Sequence, residues 1–252
     1  MTTGKMIANW EEAFEWHGFS ARKGELEGFP LNIIRPPVEK PGRPWIWKTE
    51  FLDAFPNADI ELVRRGFHLV HLEVFDHFGC PRAVAYGDTL HAFVTARFGF
   101  APKTALLGMS RGGLWAYNWA AKNPEKVALI YGDNPVCDIK SWPGGLGTGP
   151  GQAESWQKCL SVYGFTEEEA RNWAGNPVDH LEILARAGVP ILHVIGDEDE
   201  TVPVSENSDR VRDRYLALGG RFEEIVKRGG FHHPHGLEDP TPILHFFEQN
   251  IP

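Results

Sequence analysis

Cysteine is scarce: the chain holds three, Cys80, Cys137 and Cys159, odd in number and far apart. That spacing excludes a disulfide framework and a Cys-x-x-Cys metal site, and it is compatible with a reducing compartment. A basic surplus is also missing. With 25 Lys and Arg against 34 Asp and Glu, the net charge is -9, which leaves no cation excess to neutralise phosphates and excludes a general nucleic-acid binder. No apolar run approaches the ~20 residues that a membrane span needs, so no membrane partner is expected. Met1-Thr2-Thr3-Gly4-Lys5 leads into Trp10-Glu11-Glu12 without an apolar core and a small-residue cleavage site. No signal peptide is read there and a cytoplasmic protein is expected, although a mature secreted or periplasmic chain given a new methionine would read the same. Internal repeats are absent too.

What is present is a long alternation of strand and helix signals. Residues 14 to 34 read as an opening β-hairpin interrupted at Glu27-Gly28, and Trp45-Ile46-Trp47 reads as the next strand, with Lys48 to Phe51 as its exit loop. A short helix around Ile60 to Val63 precedes a strand within Phe67 to Phe75. A helix over Pro81 to Phe98, a strand at Ala105 to Leu107, a helix over Gly112 to Lys122 and a strand at Val127 to Tyr131 follow. This pattern predicts an α/β fold with a mostly parallel central sheet and helices on both faces.

From about 137 to 176 the composition changes. Ser141 to Gly151 is too rich in glycine and proline for a regular element, and Thr166-Glu167-Glu168-Glu169 has capping-box spacing and opens a helix reaching Trp173. The stretch is too short for a core of its own, so it is read as a cap inserted into a single domain spanning 1–252. Beyond it the alternation resumes: helix Val178 to Ala187, strand Pro190 to Ile195, helix Ser205 to Leu218, strand Phe222 to Val226, and a helix from Thr241-Pro242 through Phe247.

Three segments carry chemistry. Gly108-Met109-Ser110-Arg111-Gly112 is Gly-x-Ser-x-Gly between an apolar strand and an alanine-rich helix, the context that exposes a serine hydroxyl at the top of a sheet. A helix-start serine is the plainer alternative. A serine nucleophile needs a base within hydrogen-bond reach and an acid to orient that base. Acids crowd Asp197-Glu198-Asp199-Glu200, directly after the strand ending at Ile195, and histidines crowd His232-His233-Pro234-His235, after the strand ending near Lys227. Both lie where an open α/β sheet binds its ligand, at the carboxyl ends of strands. The histidines could instead form a metal cluster, but only Glu238 and Asp239 accompany them, so no metal and no cofactor is expected.

The order Ser, Asp, His resembles that of the α/β-hydrolases, and the resemblance covers the chain outside the cap. It implies an α/β-hydrolase fold and a Ser-His-Asp serine hydrolase. It selects Asp199 by its Asp-x-x-Val-Pro spacing, leaving Asp197 to brace the loop, and it selects His232 as the first histidine after the glycine turn, with His233 second and His235 bracing. Asp133 and Asp138 occupy an alternative acid position. The resemblance also implies an oxyanion hole formed by the Arg111 N–H and a donor in Lys48 to Glu50, taken as Thr49, although the familiar His-Gly of that loop is absent. More narrowly, Gly-Met-Ser-Arg-Gly-Gly, Trp-Pro-Gly-Gly and His-His-Pro-His-Gly resemble small bacterial carbohydrate esterases, including α/β-hydrolase pectin methylesterases. A small-molecule or carbohydrate ester is then the expected substrate, either a methyl-esterified uronic acid or an acetylated sugar. The rival readings are a lactone or short-acyl ester hydrolase, a peptidase of the same fold, and a non-catalytic ligand-binding relative.

Trp45, Trp47, Trp142, Trp156 and Trp173 fall in the site-facing strand and the cap, where indoles stack on sugars or pack in a core; Trp47 and Trp142 are the substrate-binding candidates. The Arg111 side chain is suited either to a substrate carboxylate or to an acidic neighbour on the adjacent helix. The remaining, scattered histidines are read as packing or surface residues.

Overall fold

The computed structural model describes residues 12–251; the N-terminal stretch read above for a leader lies outside them. The chain opens with β1 (Glu12–Trp16), β2 (Phe19–Leu26) and β3 (Phe29–Ile34), an antiparallel meander of three strands where a single hairpin was expected. Its two turns, His17-Gly18 and Glu27-Gly28, have positive φ at both residues, the left-handed pair that suits the twist of a tight hairpin. Then come β4 (Trp45–Lys48), α1 (Asn57–Arg64), β5 (His68–Leu72), α2 (Pro81–Phe98), β6 (Thr104–Met109), α3 (Gly112–Lys122) and β7 (Val127–Asp133). The inserted stretch holds α4 (Ala153–Tyr163) and α5 (Glu167–Asn172), and the chain ends with α6 (Leu181–Arg186), β8 (Ile191–Gly196), α7 (Ser208–Ala217), β9 (Phe222–Lys227) and α8 (Thr241–Asn250).

The nine strands form one sheet in the order β1-β2-β3-β5-β4-β6-β7-β8-β9. The edge from β1 to β5 is antiparallel, and every pairing from β5 through β4 to β9 is parallel. This is the α/β-hydrolase fold. Alternation along the strands divides the core between the two faces. Trp45, Trp47, Val70, Leu106 and Ile130 pack with α2, α3, α6 and α7, whereas Ile46, Leu69, Leu107 and Leu129 pack with α1 and α8. A third, smaller cluster joins Ile139, Trp156, Cys159, Leu160 and Ala170 of the inserted stretch to Phe78, Leu114 and Val202 of the body.

Element boundaries mostly follow local signals. Pro81 starts α2, whose C-cap Gly99 is left-handed at φ 66°, and Thr166 and Glu169 form the reciprocal capping box of α5. Two departures have tertiary causes. The helix expected over 205–218 begins only at Ser208, because Asn207 leaves helical geometry and its side chain binds Cys137 N–H, Ser141 Oγ and the Pro203 carbonyl. The unexpected α4 follows a glycine-proline run and is anchored by one short apolar face, Trp156, Cys159 and Leu160.

Gly87, in the middle of α2, is set by packing. A Cβ there would stand 2.5 Å from Trp47 and 2.6 Å from Trp119, and both indoles are fully buried. Gly87→Ala is therefore expected to destabilise the fold by about 1–2 kcal/mol in urea unfolding, although helix propensity alone favours alanine by about 1 kcal/mol. A more stable variant would show that the indoles can yield.

Candidate active site

The turn after β6 is shaped by crowding. Ser110 has φ 49°, a left-handed conformation that a non-glycine residue holds only when its surroundings impose it. Its N–H donates to the Asp133 carbonyl at 2.9 Å, and its own carbonyl accepts from Gly113 N–H at 3.0 Å and Val136 N–H at 2.8 Å. A Cβ on Gly108 would lie 2.8 Å from Gly113 Cα, one on Gly113 would lie 2.7 Å from the Val136 carbonyl oxygen, and one on Gly112 would lie 2.8 Å from Thr49 Oγ1. The motif glycines thus let β6, α3 and two loops meet around one serine.

Ser110 Oγ lies 3.0 Å from His232 Nε2, and His232 Nδ1 lies 2.6 Å from Asp199 Oδ2. The other Asp199 oxygen accepts from Thr201 N–H at 2.9 Å and Val202 N–H at 2.8 Å. Asp199 and His232 are buried, while Ser110 is partly open. A carboxylate held this way keeps Nδ1 protonated and leaves Nε2 free to accept the serine proton.

A profile of the Esterase family matches residues 85–226, more than half of the chain. The chain belongs to the Esterase family. Among curated proteins, none matches it in sequence. Solved structures similar to this Esterase-family chain include an acylaminoacyl peptidase bound to Z-Gly-Gly-Phe-chloromethyl ketone, at 13% identity and TM-score 0.71 over 92% of this chain and 42% of that one. An acylaminoacyl peptidase from Pyrococcus horikoshii aligns at 14% identity and TM-score 0.68 over 95% of this chain and 42% of its own. A puromycin-hydrolyzing peptidase of Mycobacterium tuberculosis aligns at 15% and 0.67, covering 90% and 38%. This chain spans less than half the length of each, and the likeness is one of fold.

Around the serine, the residues singled out in the sequence separate. Arg111 stands at the N-cap of α3, where the first N–H groups of a helix have no intrahelical acceptor, and its own N–H donates to no acceptor among the described residues. Thr49 is not available as the second donor. Its N–H donates to the Leu107 carbonyl at 3.1 Å and its hydroxyl lies within hydrogen-bond distance of the Leu107 and Gly112 carbonyls, because it is still paired to β6. The next two N–H groups, those of Glu50 and Phe51, donate to no acceptor among the described residues. Trp47 is also corrected: it points to the helix-covered face, fully buried and edge-on to Trp115 and Trp119. Trp45 is core as well, and Trp156 packs in the cluster that joins the inserted stretch to the body. Trp142 is half-buried against Phe78.

The Arg111 side chain binds carboxylates, though from loops rather than from a neighbouring helix. Its Nε donates to Glu50 at 2.8 Å and its Nη1 to Asp76 at 2.6 Å, with Phe51 and Phe78 packed against the guanidinium. Lys158 of α4 reaches the other Asp76 oxygen at 3.1 Å. Together Lys158 and Arg111 hold Asp76 below the usual carboxylate range despite its partial burial.

The histidine cluster also divides. One ring nitrogen from each of His232, His233 and His235 lies within 4.8 Å of the others. Both nitrogens of His232 are engaged, and His235 Nδ1 binds Asp133 at 2.9 Å. Exposed His233 stacks on Phe55. Asp197 receives Gly229 N–H and Arg228, and Asp138 pairs with Arg210 at 2.8 Å.

Sequence reasoning missed Asn134, whose amide donates to the His232 carbonyl at 2.9 Å and accepts from Gly196 N–H at 2.8 Å. It also missed Lys48, buried among the Leu52 and Ala54 carbonyls and Asp59, the last at 2.6 Å. Lys48 thereby pins the loop beside the serine. A lysine ending an apolar strand was the available signal.

Burial pushes the Glu50 carboxyl up to about 7, against the pull of Arg111. The folded chain then holds this proton more tightly than the unfolded chain, whose ordinary value is near 4.5. Its contribution to stability falls as pH rises from about 4.5 to about 7, and it is flat above that. Burial lowers His71 to about 4 and His193 to about 3, so these two act in the opposite sense, costing stability as pH drops below 6.5. The comparison with Glu50→Gln isolates the glutamate. Between pH 5 and 8 the unchanged chain is expected to lose up to about 3 kcal/mol relative to the variant in urea unfolding, and parallel profiles would contradict the raised carboxyl.

Proposed function

We propose that this chain hydrolyses carboxylic esters through an acyl-enzyme on Ser110, and that its substrate is an acetylated carbohydrate. The observation that carries the reading is the chain of contacts from Ser110 Oγ to His232 Nε2 at 3.0 Å and from His232 Nδ1 to Asp199 at 2.6 Å. Ser110 attacks the ester carbonyl as His232 takes its proton, and Asp199 stabilises the imidazolium. The oxyanion is received by the Arg111 N–H and by a second donor drawn from Glu50 and Phe51. His232 then protonates the leaving alcohol, and water cleaves the acyl-enzyme by the same path.

Of the two carbohydrate esters expected, the acetylated sugar is the better supported. The product carboxylate of a uronic-acid ester, or a carboxylate on a neighbouring sugar, would be recognised through a free guanidinium, but that of Arg111 is already engaged by Glu50 and Asp76. Beside Phe51 opens a recess of about 580 Å³ lined by Phe51, Phe75, Asn32, Glu73, Lys23 and Asp53, among others. Aromatic rings next to hydrogen-bonding groups of both signs suit an uncharged polyol. The stretch 137–176 is assigned the role of a cap, linked to the site through Lys158, Asp76 and Arg111.

Ser110→Ala is expected to abolish hydrolysis of p-nitrophenyl acetate, and Asp199→Asn to lower kcat by roughly 10⁴-fold with little loss of fold. Wild-type rates in Ser110→Ala, or a larger loss in Asp197→Asn than in Asp199→Asn, would overturn the assignment. On a panel of acetylated sugars, methyl-esterified uronans, short acyl esters, lactones and N-acylated peptides, the acetylated sugars are expected to give the highest kcat/KM. A preference for peptides would move the chain to the peptidases of this fold.

A further inference from the structure

At the opposite edge of the sheet, where β4 and β6 begin, a concave pocket of about 230 Å³ gathers four guanidinium groups, those of Arg22, Arg35, Arg43 and Arg97. Its floor is apolar: Ile33 beside Arg22 across the β2/β3 pair, Phe100 behind it, and Phe98 at the end of α2. The two rings lie 5.6 Å apart and tilted by 32°. One carboxylate, Glu39, also lines the pocket. It binds Arg43 at 3.0 Å and His68 at 3.3 Å, and stands 3.9 Å from Arg35. Its contacts with His68, Arg43 and Arg35 hold it below its ordinary range despite the cost of burial.

Four positive groups against one negative group is a local excess of cation in a chain whose net charge is -9. Arg22 and Arg97 make no ion pair among the described residues; the Arg97 guanidinium rests over the Phe98 ring at 5.9 Å. Arg43 is fixed from beneath, its Nη1 donating to the Phe98 carbonyl at 2.7 Å while its own carbonyl accepts from Ala101 N–H. Solvated arginines on a convex surface repel one another and disperse. Here the backbone of β2, the turn before β4 and the end of α2 hold them around a single hollow, at a cost in mutual repulsion that an anion would remove. Planar guanidinium forks match oxyanions with several acceptor oxygens, and the aromatic floor supplies a face for a ring. The volume is below that of a site for a drug-sized ligand, which limits the occupant to one ring and its charged group.

We propose that this pocket is a second ligand site, separate from Ser110, that takes a small ring compound carrying a doubly charged oxyanion such as a phosphate monoester. The ring lies on Phe98 and Phe100, and the anion is clasped between Arg22 and Arg97 with Arg35 and Arg43 behind.

The test is calorimetric titration of phenyl phosphate, with inorganic phosphate as comparison, into the full chain at low ionic strength. Saturable one-to-one binding is expected, tighter for phenyl phosphate than for inorganic phosphate and weakened by added salt. Arg22→Ala combined with Arg97→Ala should weaken it about tenfold or more while leaving hydrolysis of p-nitrophenyl acetate unchanged, which also reports that the variant is folded. Ser110→Ala should bind as the unchanged chain does. Absence of saturable binding, equal affinity for both phosphates, full affinity in the double variant, or loss of binding in Ser110→Ala would each overturn the proposal.

Discussion

The end of β7 is the point on which the site's geometry depends. Asp133 is wholly buried there, and its backbone carbonyl takes the Ser110 N–H while its carboxylate takes Gly236 N–H at 2.7 Å, the Tyr131 hydroxyl at 2.7 Å and His235 at 2.9 Å. Burial alone would raise this carboxyl, yet His235 and Tyr131 hold it below the ordinary range, as expected for a buried charge with hydrogen-bond partners on both oxygens. The next residue, Asn134, ties the His232 carbonyl to Gly196 N–H at the end of β8. Two adjacent residues at the end of a central strand therefore set the serine turn, the loop that bears Asp199 and the loop that bears His232 relative to one another. The Asp133–His235 pair stands beside the Asp199–His232 pair, with the two imidazoles 4.8 Å apart.

The other side of the serine is held by charge as well as by packing. Lys48 is buried where β4 ends and gathers carbonyls of the loop that follows. Glu50 in that loop meets Arg111 of the serine turn, Arg111 meets Asp76 after β5, and Asp76 meets Lys158 of the inserted stretch. Four segments distant in sequence are thus joined through alternating charges, partly shielded from water, where such pairs are screened less than on an open surface. This explains why the arginine of the serine motif is already paired instead of reserved for a substrate. The loop from Phe51 to Ala54, which walls the recess beside Phe51, is tied at the Leu52 and Ala54 carbonyls to buried Lys48.

Much of this was legible in the sequence because the signals are local. Pro81 and Gly99 bound α2, strand-forming runs mark the parallel strands, and Gly-x-Ser-x-Gly, the acidic turn and the histidine turn each follow a strand. What stayed hidden depended on which side of a strand a residue takes and on what meets it there. Trp47 read as site-facing because it ends a strand that leads to the site; alternation along β4 turns it to the helix-covered face with Trp115 and Trp119. Thr49 read as a free donor because it follows the strand, yet β6 keeps its N–H one residue further than the run of strand-formers suggests.

The sequence by itself determined the α/β alternation, the Esterase-family match and three short segments rich in serine, acid and histidine, since propensity, capping and motif spacing act over a few residues. Only the tertiary structure decided that His232 touches both Ser110 and Asp199, that His235 belongs to Asp133 and that the Arg111 side chain is already paired. The partners in these contacts are separated by between 33 and 122 residues along the chain. Parallel pairing of β6, β7, β8 and β9 brings their carboxyl ends side by side, and buried polar groups at those ends then accept the partners that can satisfy them.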